Sequence, residues 1–251
     1  MGPTNPASVT AETNLERQLR AIATEWAAQR SERQGRRYLD RADFDRLFKA
    51  GFLRTGVPVD QGGLWDGSQR SVRRYADLIY TIARGDPSVA LVASMHPVVL
   101  ATWMDSFAAP EPYAQAWAEQ REWCFQTALN GSWWGTVTSE PGSGGDIMKT
   151  RAVAETDGLG GFRLSGDKHF GSGSGVTDYM ITTAKPAGQT TPTMFFLRMG
   201  NTVWDGSSGV TLTAEWDGHG MSATQSCGSA WKRDPGSGVI GVEKGPLIPV
   251  V

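Results

Sequence analysis

Cysteine is scarce: Cys124 and Cys227 are the only two in 251 residues. They stand far apart and form no CxxC, which argues against a disulfide framework and against a structural zinc site. No metal is expected. Basic charge is not in surplus either. The formal net charge is -2, with 15 basic and 15 acidic side chains in residues 1–130 and 9 and 11 in residues 131–251. Nucleic acid needs a basic stripe, and the sequence offers none, so a polyanion partner is not expected. No apolar run approaches the roughly 18 residues of a membrane helix. The amino terminus, MGPTNPASVTAETN, lacks the basic and apolar segments of a signal peptide. The expectation is a cytoplasmic protein with no membrane partner. A nucleotide P-loop is also missing: no G-K-[ST] follows a spaced glycine, and Lys168 precedes its glycines. GSGSG at 171–175 is followed by the strand-like VTDYMITTA, so no helix N-terminus stands ready for a pyrophosphate, which argues against a dinucleotide fold.

Apolar and aromatic residues are present in plenty. Apolar residues make up 39% and aromatics 10%, ample for a buried core, and the ten tryptophans are expected in the core or in pocket walls. The first half has helical period. Leu15, Leu19, Ile22 and Trp26 mark one face of a helix over 14–33. Phe44, Leu47 and Phe48 mark a helix over 42–50 that Gly51 stops. A third helix fits 70–84, with Val72, Tyr75, Ala76, Ile79 and Ile82 inward and Gly85 at its end. DPSVALVASMHPVVLATWMDSF is apolar nearly all round and predicts a helix buried on every side. Residues 111–123 complete this half.

From about residue 130 the texture changes to short runs rich in Val, Thr, Ile and aromatics with glycine-rich turns between them: GSWWGTVTSE, RAVAETD, GFRLSG, DYMITTAK, TMFFLRM and GVTLTAEW. The predicted class is α+β: an all-α helical domain over 1–130, then an antiparallel β-sandwich or small barrel over 131–226, then an atypical tail over 227–251.

TSEPGSGGD at 138–146 poses the functional question. Proline after Glu140, glycines and a closing aspartate make a turn without any ligand. Glu140 as a catalytic acid needs a close partner and a tuned pKa, and a glutamate in a rigid Pro-Gly turn more simply braces the loop. His96, just before Pro97, reads as a packed or capping histidine, with a speculative role near a reactive centre beside it. His219, in the DGHGM turn, reads as a surface residue.

Read together, these segments resemble the acyl-CoA dehydrogenase family of flavoproteins. WWGTVTSEPGSGGD resembles its T-E-P-x-x-G-S-D loop, and GDKHFGSGSG its G-x-K-x-[WF]-[IG]-[TS] strand end. GFLRTGVPVDQGGLW, GDPSVALVASMH and WDGHGMSATQS match further segments in the same order, so that the likeness covers about residues 14–226. The resemblance implies FAD as cofactor and an acyl-CoA thioester as small-molecule substrate, oxidised at a CH–CH bond as in fatty acid metabolism. It implies flavin contacts from Thr136, Thr138, Ser139, Gly144, Gly145, Phe170, Gly171 and Ser172. Small residues there let the backbone approach a cofactor, and fixed donors stabilise charge on a reduced ring. Substrate contacts are implied for Gly145 and Ser143. Two positions depart from the pattern: Gly145 stands where the family has serine, and Ser222 where it has arginine. The family's C-terminal helical domain, which carries the catalytic base and much of a homo-oligomer, has no counterpart before Val251. A truncated form without its own catalytic residue is therefore expected. A flavin-dependent monooxygenase on the same scaffold and a non-catalytic fragment remain as alternatives.

Overall fold

A computed structural model of the chain describes residues 13–104, 111–143, 145–158, 161–200 and 202–231. The first half is helical: α1 (Asn14–Ala28), α2 (Arg30–Gly35), α3 (Arg41–Ala50), α4 (Ser68–Gly85), α5 (Pro87–Leu100) and α6 (Ala114–Leu129). Local chemistry sets several boundaries. Thr13 and Glu16 form a reciprocal capping box on α1, and Asp40 caps α3 through the Ala42 amide. Gly51 ends α3 in the left-handed region at φ 93°, as the sequence predicts. Asp86 accepts from the Ser88 and Val89 amides at the start of α5 and also receives the buried guanidinium of Arg33 at 2.7 Å.

Two helical expectations are corrected. The inward face of α4 is Ser71, Leu78 and Ile82, with Tyr75 and Ile79 partly covered, while Val72 and Ala76 face solvent. The apolar positions are spread widely round α4, and contact with α1 and α5 selects which of them go inward. α5 is not covered on every side: Leu91 and Val98 are exposed. Gly85 is the last residue of α4, and its missing side chain lets α4 touch α1. A Cβ there would lie 2.7 Å from the Ala23 Cα and carbonyl oxygen. Gly85→Ala is expected to lower the unfolding free energy by about 1–3 kcal/mol in a urea melt, although alanine is the better helix former. A gain in stability would contradict this close approach.

The second half is one curled sheet of β1 (Trp134–Thr136), β2 (Val153–Thr156), β3 (Phe162–Gly171), β4 (Tyr179–Pro186), β5 (Thr193–Arg198), β6 (Val210–Ala214) and β7 (Cys227–Trp231). The order is β1-β4-β2-β3-β7-β6, with β5 on β4. The antiparallel expectation holds for β2–β3, β3–β7, β4–β5 and β6–β7, but β1 and β2 pair with β4 in parallel, so the sheet is mixed. Parallel partners need a connection that crosses the sheet, which no local pattern announces. The sheet also runs to Trp231, beyond the boundary expected at residue 226, because Cys227–Trp231 fills the place between β3 and β6. The tail beyond Trp231 lies outside the described residues.

The tryptophans join the two halves. Trp133 meets Phe44 and Phe52 of the helical half, and Trp134 stacks on Tyr179 at 4.8 Å with Trp103 and Trp123 at its edges. Among the described residues, no helix is long and apolar enough to cross a membrane, and no group of three or more His, Cys, Asp or Glu is placed to hold a metal ion.

Candidate functional site

The TSEP loop leaves β1 and is fixed from beneath by a buried ion pair. Lys168, fully buried in β3, donates to Glu140 Oε1 at 2.7 Å, to the Thr183 carbonyl at 2.7 Å, to Thr150 Oγ1 at 3.2 Å and to the Thr138 carbonyl at 3.4 Å. Glu140 accepts in addition from the Thr150 hydroxyl and from the amides of Arg151 at 2.6 Å and Ala152 at 3.1 Å. Burial pushes the Lys168 ammonium below the ordinary lysine range, with Glu140 opposing. Burial tends to raise the Glu140 carboxyl, but hydrogen bonds from Lys168, Thr150 and Arg151 outweigh it and hold the group below the usual carboxylate range. Glu140 is thus a brace for the loop, with its lone pairs committed.

The amide of His169 donates to the Ser139 carbonyl at 2.8 Å, which closes the loop onto the end of β3. There the pairing of β3 with β7 slips: Lys168 faces Ser229 but Gly171 faces Cys227, so β3 carries one extra residue. This β-bulge places Phe170 at φ 57°, a conformation costly for a non-glycine residue, and turns its ring outward to 61% exposure. Gly171 packs under the loop, where a Cβ would meet Ser174 Oγ at 2.7 Å and Val137 at 3.0 Å. Ser172 Oγ lies 2.6 Å from Ser226 Oγ, which lies 2.8 Å from Thr224 Oγ1. The His169 contact brings the backbone next to Phe170 to the Ser139 end of the loop, from which Thr138 leads back to Thr136 at the end of β1. The side-chain hydroxyls of Thr136, Thr138 and Ser139 are half-buried and take no protein hydrogen-bond partner among the described residues. Hydroxyls in that state are available to a ligand.

The remaining predicted residues fall elsewhere. Gly144 lies outside the described residues. Gly145 is at φ +83° with open space around it, and its amide donates to Ser143 Oγ at 3.3 Å. The Ser143 hydroxyl is buried in the turn, accepting from the Glu140 amide and donating to the Glu140 carbonyl at 3.0 Å, so it serves the turn itself. Ser222 donates to the Arg36 carbonyl at 3.1 Å and ties the sheet to the helical half. His219 is exposed, in keeping with a surface residue.

His96 is a structural brace. It is fully buried, its Nδ1 accepts from the Trp134 amide at 3.1 Å, and its Nε2 lies 3.3 Å from the Leu53 carbonyl. That pairing requires the neutral ring protonated on Nε2. Burial pushes its pKa down to about 3. Both nitrogens are committed to main chain, which leaves none for proton transfer.

Sequence reasoning missed the partnership of Lys168 with Glu140, although a lysine inside a strand-like run is a signal that a buried counter-charge is needed. It also missed the hydroxyls of Thr224 and Ser226, which no spacing rule connects to Ser172.

The sequence matches no protein-family model and no curated protein. Solved structures do match. Methanesulfinate monooxygenase MsuC from Pseudomonas fluorescens aligns with a TM-score of 0.69 at 26% identity, over 94% of this chain and 53% of that one. FMN-bound TdsC from Paenibacillus sp. A11-2 aligns at 0.70 and 22%, over 94% and 54%. Butyryl-CoA dehydrogenase from Megasphaera elsdenii aligns at 0.66 and 19%, over 94% and 60%. The chain thus has the acyl-CoA dehydrogenase fold, and it spans little more than half the length of these structures.

Proposed function

We propose that this chain, with its acyl-CoA dehydrogenase fold, supplies the flavin-binding face of a flavin-dependent oxidoreductase. The observation that carries the reading is the set of Thr136, Thr138 and Ser139, three partly covered hydroxyls without protein partners among the described residues, with the outward ring of Phe170. Phe170 would support the ring of the cofactor, and those hydroxyls with Ser172 would hold its polar edge. A bound flavin supplies two-electron chemistry, taking up a hydride or, once reduced, passing electrons to oxygen. The protein's part is to fix donors where negative charge builds up, so that no reorganisation is needed as it does. Lys168 and Glu140 keep the loop that carries those donors in place.

Between the two reactions, we favour monooxygenation over acyl-CoA oxidation. The serine and arginine of the dehydrogenase pattern are Gly145 and Ser222 here, which weakens the match to an acyl-CoA substrate more than the match to a flavin. The matched structures named as monooxygenases support the same choice. Acyl-thioester dehydrogenation is the second reading, supported by the match to butyryl-CoA dehydrogenase. FAD is the flavin that the resemblance implies, and FMN the one bound in TdsC.

Titration of the protein with FAD and with FMN, followed by quenching of flavin fluorescence, tests the proposal. Binding of one or both is expected. Phe170→Gly should weaken it about 10–30-fold, the equivalent of roughly 1.5–2 kcal/mol of lost aromatic contact. The same substitution should leave fold stability unchanged or raise it by up to about 1 kcal/mol, because glycine accepts positive φ. Phe170→Gly that binds as tightly as the parent, or a parent that binds neither flavin, sinks the reading.

A further inference from the structure

A cavity adjoins this face. It is a cleft of about 490 Å³ between residues 37–38 of the helical half and the β6–β7 region. Its walls are largely aromatic and apolar: Tyr38, Trp204, Leu212 and Trp216, with the half-buried thiol of Cys227. None of the hydroxyls of Thr136, Thr138, Ser139 or Ser172 lines it.

Trp216 is held as a platform. Its Nε1 donates to the Met221 carbonyl at 3.0 Å. Its benzo edge lies against Gly218, where a Cβ would come within 2.3 Å of Cζ2, so only glycine lets the ring lie there. Its edge then meets Phe170 at 6.3 Å and 83°. A ring fixed before binding loses little freedom when a ligand stacks on it. The mouth carries a net negative charge. Arg37 pairs with Asp217 at 3.0 Å, while Glu215 has no ion-pair partner among the described residues, which leaves one negative charge in excess.

We infer that this cleft is a binding site for a small planar aromatic molecule that is neutral or cationic, stacked against Trp216 and lying next to the flavin face. Flat apolar walls select a ring, and the surplus carboxylate disfavours an acid or a phosphate-bearing ligand. As a binding site the cleft stands independently of the flavin reading; as the place of the substrate it rests on that reading.

Alkylation of Cys227 by iodoacetamide at mildly alkaline pH, read by peptide mass, reports occupancy, with fully buried Cys124 as an internal measure of folding. Indole is the neutral probe and indole-3-carboxylate its anionic counterpart. The labelling rate of Cys227 should fall hyperbolically with indole, to about one-fifth at four times Kd. The carboxylate should bind at least about tenfold more weakly, and Glu215→Lys should abolish that difference. Trp216→Ala should remove protection while Cys124 stays unlabelled. If that variant exposes Cys124, Leu212→Trp serves instead, since it fills the cleft from an exposed strand position. No protection up to the solubility of indole, protection that survives the folded cleft variant, or equal protection by the carboxylate overturns the inference. Protection by indole in a protein that binds neither flavin would overturn the flavin reading and leave the site in place.

Discussion

Replacing Lys168 by methionine is expected to lower the unfolding free energy by about 3–5 kcal/mol, the usual cost of removing one member of a buried ion pair. Glu140, whose side chain is 2% exposed, would keep its charge with neutral donors and only the more distant, exposed Arg151 guanidinium at 3.8 Å opposite it. Lys168→Met/Glu140→Gln removes both charges and should recover most of the loss, because the penalty lies in the stranded carboxylate and not in the missing attraction. Urea unfolding of the parent, the two single variants and the double variant gives the coupling directly. A single Lys168→Met loss below about 1 kcal/mol would show that the pair does not hold the loop. The effect should reach the candidate site as well. Thr138, Ser139 and Glu140 are consecutive, and Lys168 grips two of the three, so flavin affinity in Lys168→Met should fall even where the protein remains folded.

His96 gives a large expected pH effect. In the fold its ring takes a proton only near about pH 3, against an ordinary value of 6.5, because burial disfavours the charged form. Between those values the unfolded chain binds one proton more than the folded one. The contribution of His96 to stability is therefore whole above pH 6.5 and declines by about 1.4 kcal/mol per pH unit as pH drops towards 3. From pH 6 to pH 4.5 that is roughly 2 kcal/mol. Paired carboxylates such as Glu140 add to acid sensitivity at the low end, since a carboxyl held below its usual range stabilises the fold above its unfolded pKa and ceases to as pH falls through the folded one. His96→Gln isolates the imidazole, since an amide can still accept from Trp134 and donate to Leu53. Its urea stability should lose about 2 kcal/mol less than the parent over the same range. Parallel pH curves for the two proteins would show that His96 is not the group responsible.

The two halves of the protein were legible without the structure, and for one reason: their signals are local. The Gly51 stop directly follows the helix that it ends, and β-branched runs such as DYMITTAK declare themselves over one strand length. The loop and Phe170 were singled out as a candidate site by a motif resemblance spanning several segments in order, while the bulge that turns Phe170 outward was not announced by the sequence. What the tertiary structure decided is every choice between partners distant in the chain. It paired β1 and β2 in parallel with β4, it put Cys227–Trp231 into the sheet where glycine and charge nearby had suggested an ending, and it turned α4 so that Leu78 went in and Val72 out. It also assigned the charges and rings. Glu140 could have been an acid and His96 a base on sequence grounds alone. Only the arrival of Lys168 from β3 and of the Trp134 amide beside the buried imidazole made both into braces. Composition fixes which groups must be buried, and hence that each needs a partner. Which partner reaches it is a matter of through-space distance, which a linear chain does not encode locally.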